Sequence, residues 1–149
     1  MPVPDPYRKA EAAWRIALIA ASFRRLLGRP LVDGGGDVIA ALWDAPVAIV
    51  AHGTEPDPIF FFGNARGLAA FETDPAHFVG MPSRLSADAP RREERQTLLD
   101  RVSAQGFIAD YAGIRISATG RRFRIDRAIV WNLVDEAGGL HGQAATFAI

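Results

Sequence analysis

The sequence predicts an α+β domain, a five-stranded antiparallel sheet with helices packed on one face, preceded by an N-terminal helical extension. Two observations support this fold class. Five short apolar segments have the composition of strands, and the turns that join the last three are too short for a crossover helix, which favours antiparallel pairing. The segments with helical features form one block between the first two strands and the last three, an order typical of α+β domains.

Length and composition limit the possible classes of protein. The chain has 149 residues, enough for one domain with a sizeable core, and its apolar fraction of 49% excludes a disordered chain. Seventeen basic residues balance seventeen acidic residues, so no net field attracts nucleic acid or an anionic membrane. No cysteine is present, which excludes disulfides and a thiolate nucleophile. We expect a cytoplasmic protein that binds neither nucleic acid nor membrane.

Residues 1–45 are the predicted helical extension. Asp5 precedes a proline and is a suitable N-cap for a first helix, which a glycine at position 28 ends. After a glycine-rich break, Asp37 is predicted to cap a short apolar helix over residues 38–43. The extension is therefore expected to hold two helices.

The apolar stripe of the first helix is the predicted protein interface. Trp14, Leu18 and Ala21 fall on one helical face. The apolar run within residues 14–23 is interrupted by charge and is too short to span a membrane. Because exposed apolar stripes usually mark interfaces, we expect a homodimer formed through this helix.

The predicted domain, residues 46–149, begins with a hairpin. Residues 47–51 and 58–62 are apolar runs with the composition of strands, and the polar segment HGTEPDP connects them. Asn64 then follows the second strand at the position of an N-cap, which predicts a helix over residues 65–72. The polar connection is predicted to be either surface decoration or part of the entrance to a pocket.

Helical features continue up to Gly106. Asp74 precedes a proline and predicts a short helix over residues 73–78. Residues 80–88 have no regular pattern, whereas residues 89–106 have the spacing of a longer helix that buries three aliphatic side chains. These segments are the predicted helical layer of the domain.

Three further strands are predicted at residues 107–117, 121–134 and 140–149. In the first of them, Arg115 lies on the face opposite Ile114. In the second, alternation assigns one face to Phe123, Ile125, Ile129, Trp131 and Leu133.

Several separated segments resemble a stand-alone bacterial protein of the MEKHLA domain family, which is described as PAS-related and also occurs at the C-terminus of plant homeodomain–leucine zipper factors. The resemblance extends from Leu42 to Phe147, and residues 46–149 would then be the PAS-like domain. It implies a PAS-like fold and a sensing or interaction module, and no established reaction. The segments are LWDAPVAIVAHGTEPDPIFFFGNARGLAAFE, GMPSRLSA, REER, GIRISATGRRFRI, VWNLVDEAG and HGQAAT.

A PAS fold encloses its ligand, when it has one, between the sheet and the helices, so the resemblance implies a candidate pocket there. The sequence does not identify a cofactor. Ser83 falls near the position at which flavin photoreceptors of this superfamily carry the cysteine that bonds the flavin, and a hydroxyl cannot form that adduct, so we do not expect a flavin. The candidate pocket residues are His52, Phe62, Ser83, Arg84, Tyr111, Arg115, Trp131 and Gln143.

Two of these residues have alternative roles. Arg84 either pairs with an anionic ligand or caps the C-terminus of a nearby helix. Gln143 either faces water or points into the pocket from the last strand, where neighbouring small residues leave room.

Metal binding and catalysis find little support in the sequence. The three histidines, His52, His77 and His141, have none of the spacings of a metal site or a general base, so no metal ligand and no catalytic residue is predicted. The arginines within residues 115–127 are split between two faces and lack interleaved stacking aromatics, which argues against nucleic-acid binding.

The leading functional prediction is a noncatalytic sensory domain that binds a small molecule and signals through an unidentified protein partner. Binding is expected to shift the sheet or the N-terminal helix between two packings. One alternative is a ligand-free structural or dimerisation module. A third possibility is a small enzyme that uses His52 with Arg84 or Arg115 on an anionic substrate.

Overall fold

The computed structural model describes residues 2–33, 35–87 and 89–148, without the side chains of residues 89–92 and 95. Its helices are α1 (Asp5–Arg8), α2 (Ala10–Leu27), α3 (Val38–Asp44), α4 (Ala65–Ala70), α5 (Pro75–Phe78), a 3-10 helix (Ser83–Ser86) and α6 (Ala89–Gln105). Its strands are β1 (Ala48–His52), β2 (Phe60–Gly63), β3 (Phe107–Ile116), β4 (Arg122–Val134) and β5 (Leu140–Phe147).

The five strands form one sheet in the order β2-β1-β5-β4-β3. All four neighbouring pairs are antiparallel. The last strand in the chain lies at the centre, between β1 and β4, so it joins the first hairpin to the final three-stranded segment. The predicted α+β class and the antiparallel sheet are confirmed.

One face of the sheet, here called the inner face, carries Val130 and is covered by the helices that lie between β2 and β3 in the chain. The aliphatic side chains of α6, Leu98 and Val102, form an apolar cluster with Ile108 and Val130 of the sheet. The predicted helical layer on one face is therefore present.

The opposite face, here called the outer face, is covered by α2. The indole Nε1 of Trp131 donates to the backbone oxygen of Ile19 at 3.1 Å, and the ring of Phe23 lies 4.9 Å from that of Trp131. At the end of β4, the backbone N–H of Val134 donates to Ser22 Oγ at 2.8 Å. The N-terminal helix thus buries one side on its own sheet and adds a second helical layer.

Helix starts follow the sequence closely with one exception. Asp37, Asn64 and Asp74 each accept hydrogen bonds from backbone N–H groups in the first turn of the helix that follows, as predicted. Asp5 is not a cap, because it already lies inside α1. The extended backbone of Lys9, with ψ at 142°, separates α1 from α2, so the single N-terminal helix that the sequence predicted is two helices.

An irregularity in β4 changes which side chains face inward. Arg127 has a positive φ of 52°, and the β3–β4 register shifts by one residue between Tyr111 and Gly113. A shift of one residue moves all later side chains to the other face. Ile125 consequently belongs to the inner face and Trp131 to the outer face, so the prediction of one shared face was wrong.

A second shift affects the hairpin of β1 and β2. Its register moves by one residue between Ala51 and His52, so that Ala51 pairs with Phe62 and His52 pairs with Phe60. The ring of Phe62 lies 4.9 Å from that of Tyr7 and therefore points toward the N-terminal helices.

The N-terminal helices share one apolar cluster with the sheet. The boundary between an extension at residues 1–45 and a domain at residues 46–149 stays a prediction. Among the described helices, none combines the length and the apolar character that crossing a membrane requires.

Candidate functional site

A cavity of about 50 Å³ lies between the inner face and the helices that cover it. A single water needs roughly 10–15 Å³ of such space, so the cavity holds only a few non-hydrogen atoms. Larger cofactors occupy pockets of several hundred Å³. Most lining side chains are apolar; the polar exceptions are His52, Ser86, Tyr111, Arg115 and Gln143.

Among the described residues that line this cavity, Arg115 is the one with a permanent charge. It is only 8% exposed because β3 directs it inward. Its guanidinium carbon lies 5.2 Å from the centre of the Tyr111 ring. Burial lowers the pKa of the guanidinium, and Tyr111 opposes that shift, yet an arginine stays protonated in proteins. The cavity therefore contains a buried positive charge.

Gln143 and Asn132 tie the sheet to α6. The Nε2 of Gln143 donates to Asn132 Oδ1 at 2.9 Å, to Ser103 Oγ at 3.3 Å and to the backbone oxygen of Leu99 at 3.4 Å. The Nδ2 of Asn132 donates to the backbone oxygen of Val102 at 3.2 Å. All these bonds of Gln143 use Nε2, so its Oε1 is the amide atom left to accept from a ligand.

His52 is the last residue of β1 and not part of the turn to which the sequence assigned it. It pairs with Gln143 across the sheet, is buried, and places Nδ1 2.9 Å from the backbone oxygen of Gly53. The backbone of His52 lies close to Gly142 of β5, where φ is 146°. A Cβ atom at position 142 would collide with the His52 carbonyl oxygen. Glycine at position 142 therefore fixes where His52 meets the cavity.

A second, open cleft of about 250 Å³ borders the cavity on the side of the turn at residues 53–58. It lies between this turn, α6 and the start of β5. His52, Leu99 and Gln143 line both spaces and form the wall between them. The polar turn thus lies beside the cavity, a position compatible with its predicted role as part of the entrance to a pocket.

Ser83 and Arg84 lie next to the cavity without lining it. Ser83 is fully buried in the 3-10 helix, where its backbone N–H donates to the Pro58 oxygen at 2.8 Å. Ser86 lines the cavity instead. Arg84 is exposed, and its Nε donates to Asp57 Oδ2 at 3.0 Å, so it contacts the turn; pairing with an anionic ligand stays a prediction.

The structure brings together half of the predicted pocket residues. Phe62 and Trp131 point away from the cavity because both follow a one-residue register shift that alternation alone does not show. Ser83 and Arg84 lie outside it, as described above. The predicted residues that line the cavity are His52, Tyr111, Arg115 and Gln143. A role of these four in ligand binding stays a prediction.

Sequence reasoning missed Asn132 and Ser86. The turn between β4 and β5 gave no signal for Asn132, because regular pairing from Val134 and Leu140 onward would place Gln143 opposite Trp131. A register shift between Leu133 and Val134 moves Gln143 to Asn132 instead. No signal in the sequence distinguishes Ser86 from Ser83, since both lie in the same short 3-10 helix.

The three histidines lie apart from one another. His77 Nδ1 is 2.8 Å from Asp74 Oδ1, and His141 Nε2 is 2.7 Å from Asp135 Oδ2, both away from the cavity that His52 lines. In the part of the chain that the structure describes, no three or more His, Cys, Asp or Glu side chains are placed to hold a metal ion.

Sequence comparison matches residues 13–149 to the MEKHLA domain. Similar proteins include the homeobox-leucine zipper protein HOX29 of Oryza sativa subsp. indica, 28% identical over 138 residues, with 88% of this chain and 16% of that protein covered. ATHB-15 of Arabidopsis thaliana is 26% identical over 144 residues, with 94% and 17% covered. The chain thus spans about one sixth of the length of these plant relatives. A bacterial stand-alone form stays a prediction.

Solved structures share the fold at low identity. The PAS domain of a protein from Colwellia psychrerythraea superposes with a TM-score of 0.61 at 15% identity, over 72% of this chain and 89% of that chain. The photo-excited blue-light photoreceptor Vivid superposes with a TM-score of 0.61 at 15% identity, over 88% and 94%. The PAS-like fold that the sequence predicted is confirmed.

Proposed function

Because this chain belongs to the MEKHLA domain family and has a PAS-like fold, we propose that it is a noncatalytic sensory domain that binds a small molecule between sheet and helices. The supporting observation is the cavity, which sets His52, Arg115 and Gln143 into a mostly apolar wall next to an open cleft. A few polar groups in an apolar cavity are the usual composition of a small-molecule site.

The output of binding is proposed to pass through β4 to α2. Val130 and Asn132 of β4 face the inner side, whereas Trp131 between them donates its hydrogen bond to Ile19 of α2. A ligand that prefers one arrangement of the inner residues therefore also favours one position of the helix. An unidentified protein partner would read that position.

A second copy of this chain is the other proposed partner. The fungal photoreceptor Vivid has a structure described as a light-state dimer. In this chain, Trp14 of α2 is 53% exposed and lines a surface cleft together with Phe61 and Val79. Because the opposite side of α2 is buried on its own sheet, the proposed dimer uses the Trp14 side. Light scattering of Trp14→Glu should show monomers where the unmodified chain shows dimers.

Filling the cavity tests the proposed function. Ala145 lies on the inner face between Val50 and Val130, so Ala145→Leu would occupy the space of a ligand. Native mass spectrometry should detect a ligand retained by the purified chain, or methyl NMR should show fragments shifting the signals of Val50 and Val130. Ala145→Leu should lose both responses, and the exposed substitution Ala109→Leu in β3 should keep them.

The absence of any retained molecule and of any fragment response in the unmodified chain would overturn this proposal. The alternative would then be a ligand-free structural or dimerisation module. A specific observation favours that second candidate, namely the small volume of the cavity, about 50 Å³. Circular dichroism of Ala145→Leu must show an intact fold, because overfilling a core costs about 1–3 kcal/mol.

A further inference from the structure

The buried charge of Arg115 is the least explained feature of the cavity. The side chain is more than nine-tenths buried and lines the cavity, and its described contact is the ring and hydroxyl of Tyr111. A buried charge without a counter-charge is costly, and an arginine cannot avoid that cost by losing its proton. A cation–π contact offsets only part of it.

The described part of the chain offers Arg115 no counter-charge. Among the lining residues that the structure describes there is no aspartate or glutamate, and none of the described ion pairs includes Arg115. The carboxylate of Glu72 is already bound, since its Oε1 accepts from Ser117 Oγ at 2.6 Å, Thr119 Oγ1 at 2.7 Å and Arg121 Nε at 3.1 Å. Among the described residues, therefore, no carboxylate neutralises Arg115, and a bound anion would supply the missing opposite charge.

The rest of the lining restricts what else the ligand contains. Apolar side chains, among them Val50, Ile125 and Val130, form most of the wall. The cavity of about 50 Å³ has room for only a few non-hydrogen atoms, and His52 and Gln143 separate it from the open cleft. The lining thus fits an anionic head with a short apolar body.

We propose that the ligand of this cavity is a small monocarboxylic acid whose carboxylate is held by Arg115 and whose short hydrocarbon body lies against the apolar wall. This inference rests on the proposed function. A guanidinium presents a planar fork of donors that matches a carboxylate. A phosphate or sulfate carries up to two charges, and the described lining supplies one arginine to meet them.

The first experiment compares acids with their neutral amides on the unmodified chain. Propionate and butyrate are titrated against propionamide and butyramide of the same shape, and methyl NMR reports on Val50, Ile125 and Val130. Hydrogen bonds to a charged group contribute about 1.5–3 kcal/mol, so the acids should bind roughly 10- to 100-fold more tightly. Equal affinity of acid and amide would overturn the inference.

The second experiment removes the charge. Arg115→Met keeps an unbranched apolar side chain in place of the aliphatic part of the arginine and removes the guanidinium. Arg124→Met is the control because Arg124 lies on the same hairpin with a side chain 63% exposed. Arg115→Met should lose the preference for acids over amides while the ligand-free protein melts at a higher temperature, since replacing an unpaired buried charge by an apolar group is stabilising. Arg124→Met should change neither property.

The outcomes separate the two proposals. If amides and acids shift the methyl signals of the cavity with equal affinity, the proposed sensory function stands. The proposal that the ligand is a carboxylic acid is then refuted. No response of those methyl groups to either class, with no retained ligand, would refute both. A lower melting temperature of Arg115→Met with an unchanged acid preference would show that Arg115 is structural. If Arg115→Met does not fold, the comparison of acids and amides on the unmodified chain decides.

Discussion

On the outer face of the sheet, Trp131 and Leu133 are completely buried, and α2 covers them with apolar side chains. On the inner face, Asn132 of the same strand lies beside Gln143 of β5, which pairs with His52 of β1, and the space before α6 is not filled. One strand thus contributes to a close-packed layer and to a polar layer with a gap. The difference indicates that β4 packs more closely against α2 than against α6. The part of the inner layer able to change is the side of α6, since phenylalanine rings pack the part around Phe60 and Phe71.

The helices of the inner layer are attached to the sheet by polar contacts at its edge as well as by apolar ones. Glu72, just after α4, binds Ser117, Thr119 and Arg121 at the turn between β3 and β4. Polar contacts of this kind are weaker and more exposed than a packed aromatic core, and regions held in this way open more readily. The predictions below test this contrast, beginning with the outer face.

The largest effect is expected from Trp131→Ala. The substitution removes a fully buried aromatic side chain and its hydrogen bond to Ile19, and large-to-small changes of this type cost about 3–5 kcal/mol. Urea denaturation measures the loss. The control is Leu85→Ala, which truncates an apolar side chain that is 43% exposed and should change the free energy of unfolding by less than about 1 kcal/mol. Equal losses would contradict the close packing of β4 against α2.

The next effect concerns the close contact between β5 and β1 at Gly142. Gly142→Ala should cost about 1–3 kcal/mol, because the new Cβ atom meets the His52 carbonyl oxygen and φ is 146°. Gly120→Ala separates the two causes, since Gly120 has a φ of 89° with no atom near the added Cβ. The loss for Gly142→Ala in urea denaturation should be the larger one. A smaller loss would mean that β1 and β5 adjust without strain.

A moderate effect is expected for the amide pair of the inner face. A double-mutant cycle of Asn132→Ala and Gln143→Ala should give a coupling energy of about 1 kcal/mol, because Gln143 Nε2 donates to Asn132 Oδ1 at 2.9 Å. Thermal denaturation of the unmodified chain, the two single variants and the double variant provides the four free energies. Additive losses would show that the pair contributes nothing beyond its separate contacts to α6.

The smallest effect is expected from Glu72→Gln and depends on pH. Hydrogen bonds from Ser117, Thr119 and Arg121 lower the pKa of Glu72 from the ordinary value of 4.5 to about 2. The stabilisation is therefore complete above pH 4.5 and is lost as the pH falls toward 2. Urea midpoints should differ between Glu72→Gln and the unmodified chain at pH 7 and converge near pH 2. The exposed Glu136→Gln is the control, and a constant difference would contradict the assigned pKa.

The local parts of this structure were predictable from the sequence. The caps at Asp37, Asn64 and Asp74 depend on a side chain and the three residues after it, and all three are present. The order of strands and helices followed from composition and turn length. His52 was a candidate because it begins the polar connection of the first hairpin, and Gln143 because it lies on the last strand beside small residues that leave room for a ligand.

The remaining features depend on contacts that a local pattern does not contain. The faces of Phe62 and Trp131 were wrong because each lies beyond a one-residue register shift, and such a shift is visible only in the pairing with a neighbouring strand. The second helical layer was also missed. Its stripe of apolar residues fits a partner chain as well as it fits the outer face of its own sheet, so periodicity alone did not decide between them.

The irregularity at Arg127 determines which side chains of β4 lie on the inner face and which lie on the outer face. Loss of one residue at this point would exchange the later positions, so that Trp131 would enter the cavity and Asn132 would lie against the apolar side of α2. In a relative that lacks one residue here, the aromatic residue and the amide residue must exchange positions, or the cavity on the inner face is lost. The alternation after position 127 is therefore a more direct marker of a conserved cavity than overall identity.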